Sequence, residues 1–558
     1  MIGKNLRWMA SLLVASNLVL ASPSVSFGDG RRGPNDPAAA FHTATPIKHI
    51  IVIFQENISF DHYFATYPYA TNPPGEIPFF PRFDTPTVNN LLAGGLLTEN
   101  PNSTQPFRMD TGAASVTCDQ NHSYTPEQQA LDHGLMDKFP EFTGVGTNTF
   151  PGSPCNDYGK GTGSVMGYFD GNTVTAIWNY AQHFAMSDNS FSTMFGPSTV
   201  GAVNLVAGTT AGATMQPLKV NGKPAAPGGN IANGALTGAL IGDVRPLGDE
   251  CVVTDPGLQG ANLVSFSGQT VGDLLNTKHI TWGWFEGGFR PTGVDAMGRA
   301  ICGQHHAGLA GDDAVTQSSD GDYIPHHEPF QFFGSTLNGH HVIPASPFVV
   351  GANGDATKHQ YDLLDFWAAL KVGNLPAVTY LKAGAYQDGH PGYSDPIDEQ
   401  IFVVGVINAV MNSPFWDDTA IVIAYDDSDG WYDHVLGPVA NQSGVSDDAL
   451  AGTSNCGATT TLTQGQCGYG PRQPLLVISP FSKQNYVDHV ATDQSSILRF
   501  IEDNWFLGRI GGNSDDVKAG LLNGMFDFTN SDSPLILDPV TGVILNHGGP
   551  GPDGHGHD

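Results

Sequence analysis

Short, nearly unbroken apolar runs recur along the chain. Residues 48–54 read Lys-His-Ile-Ile-Val-Ile-Phe, the β-branched composition that a strand buried on both faces requires. Similar runs lie at 279–284, 377–381, 420–425 and 475–479. Between them, apolar positions follow a helical period over 127–133, 271–276, 398–411 and 495–505, and Asp493 stands where it can cap the last of these. Strands alternating with helices predict an α/β fold, a mostly parallel central sheet with helices on both faces. The Gly/Pro-rich stretches 70–117, 140–165, 210–265 and 290–350 are then long loop excursions from that sheet. The chain shows no internal repeat.

Both ends read differently. Lys4 and Arg7 precede an apolar stretch, 8–21, broken only by Ser11, Ser16 and Asn17, and Val19-Leu20-Ala21 offers a small-x-small cleavage site. Residues 1–21 are expected to be a signal peptide, with cleavage as late as residue 28 as the alternative, and 22–45 a flexible leader rich in Gly, Pro and Ala. A retained anchor would need about 20 cleaner apolar residues, so the mature chain is expected to carry no transmembrane anchor and to be periplasmic or extracellular. Residues 508–558 lack periodicity and end in Gly-Pro-Asp-Gly-His-Gly-His-Asp, a C-terminal extension with a frayed tail.

In an oxidising compartment the even set of six cysteines is expected to form three disulfides. Cys456 with Cys467 is the most local pair, and sequence order suggests Cys118 with Cys155 and Cys251 with Cys302; buried free thiols are the alternative.

Charge narrows the function. The 558 residues hold 23 Lys+Arg against 54 Asp+Glu, a net charge of −31, which repels phosphodiester backbones and anionic bilayers and argues against a nucleic-acid partner. With 40% hydrophobic residues the chain can still bury a large core.

The candidate chemistry sits at strand ends. The run 48–54 leads into Glu56-Asn57-Ile58-Ser59-Phe60-Asp61, and 420–425 into Asp426-Asp427-Ser428-Asp429-Gly430. Ligands of open parallel sheets bind outside the carboxyl ends of the strands, so the two acidic groups should converge there. One such group alone is better explained as a helix cap or a solvated edge; two together favour a site. Oxygen donors of this kind suit Mg²⁺, Ca²⁺ or Mn²⁺, with Zn²⁺ or Fe if a histidine joins. Phe195-Gly196-Pro197-Ser198-Thr199-Val200-Gly201 is a small polar turn that could open a helix, holding a hydroxyl against helix N–H dipoles. His122, His326, His327 and His390 lie in polar or Pro/Gly contexts where packing asks for no histidine, as general acids or phosphate-oxygen donors would. Trp282, Trp284 and Phe285 bring aromatic surface near the expected crevice, although such residues are more often core.

The motif at 50–64, Ile-Ile-Val-Ile-Phe-Gln-Glu-Asn-Ile-Ser-Phe-Asp-His-Tyr-Phe, closely resembles the opening motif of the bacterial phosphoesterase family, which contains secreted phospholipases C and acid phosphatases. The resemblance continues in order through 118–139, 195–204, 282–285, 325–333, 390–396, 426–435 and 470–505. It implies an alkaline-phosphatase-like core over a catalytic domain at 46–507, a divalent metal on Glu56, Asn57, Asp426, Asp427 and Ser198, and Ser198 as nucleophile. His122, His327 and His390 would surround the phosphoryl group, with His326 a further candidate at a position where related phospholipases carry another basic residue. Phospholipase C members usually have Thr where Ser198 stands, followed shortly by Asn-Arg, and tend to carry extra C-terminal β-domains; this chain reads Ser198-Thr199-Val200-Gly201-Ala202-Val203-Asn204-Leu205 and runs from Trp505 only to Asp558. The resemblance therefore implies an exported acid phosphatase acting on phosphomonoesters through a phosphoserine. The alternatives are a phospholipase C acting on phosphatidylcholine-type diesters, and an inactive exported metal-binding protein.

Overall fold

A computed structural model of the chain describes residues 36–110, 117–146, 160–216, 219–220, 223–224, 229–254, 262–306, 321–457 and 465–546. Its centre is β1, His49–Gln55, buried along its whole length. Seven further strands complete the sheet: β2, Ala185–Ser187; β3, Trp282–Glu286; β4, Gln360–Asp362; β5, Val378–Lys382; β6, Thr419–Tyr425; β7, Leu475–Ile478; and β8, Tyr486–Asp488. They lie in the order β4-β3-β5-β1-β6-β7-β2-β8. β7 pairs antiparallel with both its neighbours and every other pairing is parallel, so the expected mostly parallel sheet is found, with one strand reversed.

Alternation along the strands explains why both faces are covered. Ile51 and Ile53 of β1, with Ile421 and Ile423 of β6, enter one core, while Ile50, Val52 and Phe54, with Val422, enter the other. The first face receives α3 (Thr175–His183), α6 (Leu363–Lys371) and α7 (Pro396–Met411), following α1 (Phe60–Phe64) and α2 (Tyr124–Ala130) in the chain. The second receives α4 (Ser198–Ala207), α5 (Val271–Thr277) and α8 (Gln494–Asn504). Start signals are local: Asp395 accepts from the N–H groups of Ile397 and Asp398 at 2.8 Å, with Pro396 opening α7, and Asp493 forms a capping box with Ser496 at α8.

The expected strand at 279–284 starts later, at Trp282, because His279 has a left-handed backbone with φ 55° and belongs to a turn. The excursion at 210–265 carries its own four-stranded sheet, formed by Arg245–Pro246, Leu263–Phe266, Ala213–Gln216 and Thr237–Gly238. Residues 36–45, at the end of the stretch read as a leader, dock on the fold: Ala38 is buried and the Ala44 N–H donates to the Asn504 carbonyl at 2.8 Å. In the C-terminal extension, Leu535 and Leu537 enter the first core, and Asn408 Nδ2 donates to the Leu537 carbonyl at 2.7 Å. The expected signal peptide and the frayed end at 547–558 lie outside the described residues. Cys251–Cys302 and Cys456–Cys467 are disulfides as expected; the expected partner of Cys118, Cys155, lies outside the described residues. Among the described residues, no helix is long and apolar enough to cross a membrane.

Candidate active site

Register brings the two acidic motifs together. Gln55 and Tyr425 are paired across β1 and β6, so Glu56-Asn57 and Asp426-Asp427 leave the sheet side by side. Asn57 turns there with a left-handed backbone, φ 62°; its N–H donates to Asp426 Oδ1 at 3.1 Å, and the Asp427 N–H donates to the same oxygen at 2.7 Å. Ser198 is the first residue of α4, and its hydroxyl donates within reach of both motifs, 3.0 Å from Glu56 Oε2 and 3.1 Å from Asp427 Oδ2.

Two glycines permit that approach. Gly196 has φ 119° in the turn before Ser198, and its N–H donates to Glu127 Oε2 at 3.0 Å. A Cβ at Gly201 would lie 2.1 Å from the Asp426 carbonyl oxygen, so only glycine lets α4 pack this closely against the end of β6.

Glu56, Asn57, Asp426, Asp427 and Ser198 are all buried, and burial governs their charge. Loss of solvent raises Glu56 to about 7, against the opposing pull of Lys382, and raises Asp427 to about 8; Asp426 is also pushed well above the usual carboxylate range. Asn57 Oδ1 has no hydrogen-bond partner among the described residues. Three crowded carboxylates, a free amide oxygen and a hydroxyl fit a hard divalent ion, which would relieve both the repulsion and the orphaned oxygen.

The histidines line the same crevice. His327 Nδ1 lies 3.1 Å from Glu56 Oε1, and the His326 and His327 rings meet edge to face at 4.3 Å. Arg245 Nη1 abuts His326 Nδ1, bringing a guanidinium from the small sheet. His122 Nδ1 lies 3.2 Å from Asp429 Oδ1 and 3.5 Å from Asp119 Oδ1, and its ring is 6.2 Å from that of His390. Their charges diverge. Burial, reinforced by neighbouring cations, pushes His326 and His327 well below the ordinary imidazole range, and burial pushes His390 down to about 3. Burial would lower His122 too, but Asp427, Asp429 and Asp119 outweigh it and hold the ring protonated.

Sequence reasoning missed several members. Lys382, the last residue of β5, contacts Glu56 and lies 3.9 Å from Asp426 Oδ2; burial opposes its charge, but Glu56, Asp426 and Asp388 hold it protonated. Its only sequence signal is a lysine closing a buried apolar run. Asp388 presents its carbonyl to the Glu56 N–H at 2.9 Å, and Glu127 reaches from α2 to Ser428 Oγ at 2.9 Å as well as to Gly196. Asp429 stands in the acidic group read after the strand at 420–425, but no spacing marks it, or Asp119, as a partner of His122. Trp282, Trp284 and Phe285 are wholly buried in the cores and form no aromatic wall of the crevice.

The family model described as the phosphoesterase family matches residues 47–508. The chain belongs to that family. It is 25% identical over 504 residues to a non-hemolytic phospholipase C of Pseudomonas aeruginosa, covering 87% of this chain and 58% of that protein. A non-hemolytic phospholipase C of Burkholderia pseudomallei is 33% identical over 203 residues, 34% of this chain and 28% of that protein. The chain thus spans little more than half the length of the first relative and less of the second. Phospholipase C A of Mycobacterium tuberculosis is 23% identical over 513 residues, covering 90% of this chain and 81% of that protein. Among solved structures, a protein in the alkaline phosphatase superfamily from Vibrio parahaemolyticus matches over 62% of each chain, with 14% identity and a TM-score of 0.26.

Proposed function

We propose that this phosphoesterase-family chain is an exported, metal-dependent acid phosphatase that cleaves phosphomonoesters through a phosphoserine on Ser198. The observation that carries the reading is the placement of the Ser198 hydroxyl, at the start of the ten-residue α4 and hydrogen-bonded to Glu56 and Asp427. A divalent ion held by Glu56, Asn57, Asp426, Asp427 and Ser198 would supply positive charge that acidifies the serine and offsets the phosphoryl oxygens. The positive end of the α4 dipole, at Ser198, adds to that charge. Ser198 Oγ attacks phosphorus in line, its proton leaving along one of its two hydrogen bonds, and the P–O bond to the alcohol breaks. His122, the one histidine of the four held protonated, gives its proton to the leaving oxygen. Water then attacks the phosphoserine, passing a proton to neutral His122, and phosphate leaves as Ser198 Oγ takes back the proton that Glu56 or Asp427 had accepted. His326, His327 and His390 with Arg245 act as donors around the phosphoryl group.

A catalytic acid that must stay protonated favours acidic conditions. The monoester preference is supported by Trp282, Trp284 and Phe285 lying in the cores, which leaves those residues unable to cage a quaternary ammonium head group. Phospholipase C activity is the second reading, favoured by the names of the relatives. A chromogenic phosphomonoester and phosphatidylcholine, each assayed with and without chelator, separate the two. Phosphomonoesters should be cleaved at least tenfold faster in kcat/KM, about 1.4 kcal/mol of transition-state binding. Equal or faster release of phosphocholine makes the chain a phospholipase C, and no turnover of either leaves a metal-binding protein. Amino-terminal sequencing of exported protein should find residue 22, or a start as late as 29, at the mature end.

A further inference from the structure

Asp429 lies one turn beyond the Asp426-Asp427 pair, fully buried and in a left-handed conformation with φ 54°. A non-glycine residue held there is strained unless its surroundings over-determine it, and here they do. Its N–H donates to Asp427 Oδ1 at 2.7 Å, which fixes the backbone. Its carboxylate then meets three donors from two other segments: Asn57 Nδ2 at 3.2 Å and His122 Nδ1 at 3.2 Å, both on Oδ1, and the Gln120 N–H at 3.0 Å on Oδ2. Asn57 is the informative contact. An amide has one donor end and one acceptor end, and Asp429 accepts only from the donor end, so Asn57 Oδ1 is left without a partner and available to an ion.

We propose that Asp429 is a positioning residue with two separable tasks: it turns the Asn57 amide oxygen toward the ion site, and it anchors the His122 ring with a negative charge beside it. The second task rests on the phosphoesterase reading above; the first needs no turnover. His122 is also faced by Asp119, Asp427 and Glu127, and by the rings of His390 and His326, so Asp429 supplies part of its field rather than all of it.

The tasks part in two variants of the full chain. Asp429→Ala removes every acceptor, whereas Asp429→Asn keeps one oxygen for the Asn57 amide and loses the charge together with the acceptor for the Gln120 N–H. Mn²⁺ binding to protein stripped of metal, measured by titration calorimetry without substrate, should weaken by about 10- to 100-fold in D429A, the usual effect of removing a partner that orients a metal ligand, and stay within about threefold of wild type in D429N. The alkaline limb of kcat/KM on a phosphomonoester should move down by at least about 0.5 pH unit in both, because a histidinium that loses an anionic neighbour gives up its proton earlier. Wild-type Mn²⁺ affinity in D429A, or an unmoved limb in D429N, overturns the proposal. Should D429A fail to fold by circular dichroism, Asp429→Gly, which also removes every acceptor but tolerates the left-handed backbone, replaces it in the Mn²⁺ titration, and wild-type affinity there overturns the proposal. A wild-type chain that binds Mn²⁺ but cleaves no phosphate ester sinks the phosphoesterase reading, and the Mn²⁺ comparison still judges the Asn57 task.

Discussion

Ser198→Ala removes one oxygen from a buried helix start and leaves the surrounding carboxylates in place, so loss of turnover is separable from loss of fold. kcat should fall at least about a thousandfold with the metal largely retained; near-normal activity would move the nucleophile elsewhere, with Thr199 the next hydroxyl along α4. Glu56→Gln and Asp426→Asn should instead lower bound metal and activity together, read by elemental analysis beside the assay. The same carboxylates predict how metal-free protein responds to pH. Glu56 rises from 4.5 to about 7 and Asp427 from 3.8 to about 8, so in these windows the folded chain holds protons that the unfolded chain releases. Stability therefore falls as pH rises through them. Chelated protein should show a lower Tm at pH 8 than at pH 5.5, and saturating divalent metal should flatten or reverse that slope; a Tm that rises with pH in chelator would contradict the burial argument.

At the scale of elements, the close approach of α4 to the end of β6 is what places Ser198. Gly201→Ala sets a methyl 2.1 Å from the Asp426 carbonyl, against backbone that cannot swing aside. The helix must shift, which should cost about 1–3 kcal/mol of stability and lower kcat well beyond the effect on KM. Unchanged kinetics and Tm in this variant would show that α4 has slack there. The strands legible in sequence were the five with sustained apolar runs, because a strand buried on both faces leaves that mark without alternation. β2, β4 and β8 have three residues each and were missed, since so short a segment is strand only because a neighbouring strand, distant in sequence, supplies its hydrogen bonds. The site divides similarly. Glu56-Asn57 and Asp426-Asp427 were readable because each directly follows a recognisable strand. Asp429, Asp388 and Asp119 take their roles from folding that brings distant turns together, and Lys382 acts through a register that no local pattern reveals.

For the whole molecule, charge opposes the chemistry. A net charge of −31 surrounds a site proposed to receive phosphate dianions, and like-charge repulsion lowers their local concentration and slows encounter. The screening distance is about 30 Å at 0.01 M ionic strength and about 8 Å at 0.15 M, so salt should remove most of the repulsion from distant surface carboxylates. It should leave the buried site largely untouched, because Glu56, Asp426, Asp427 and Lys382 are shielded from solvent ions. kcat/KM for a phosphomonoester dianion should therefore rise with sodium chloride across this range while kcat stays nearly constant. A zwitterionic phosphocholine ester, with no net charge to repel, should show little change if it is cleaved at all. The opposite result, activity on the dianion falling with salt, would mean that a positive local field dominates the approach. Arg245 beside His326, together with the ion held at Glu56 and Asp426, would then outweigh the acidic surface.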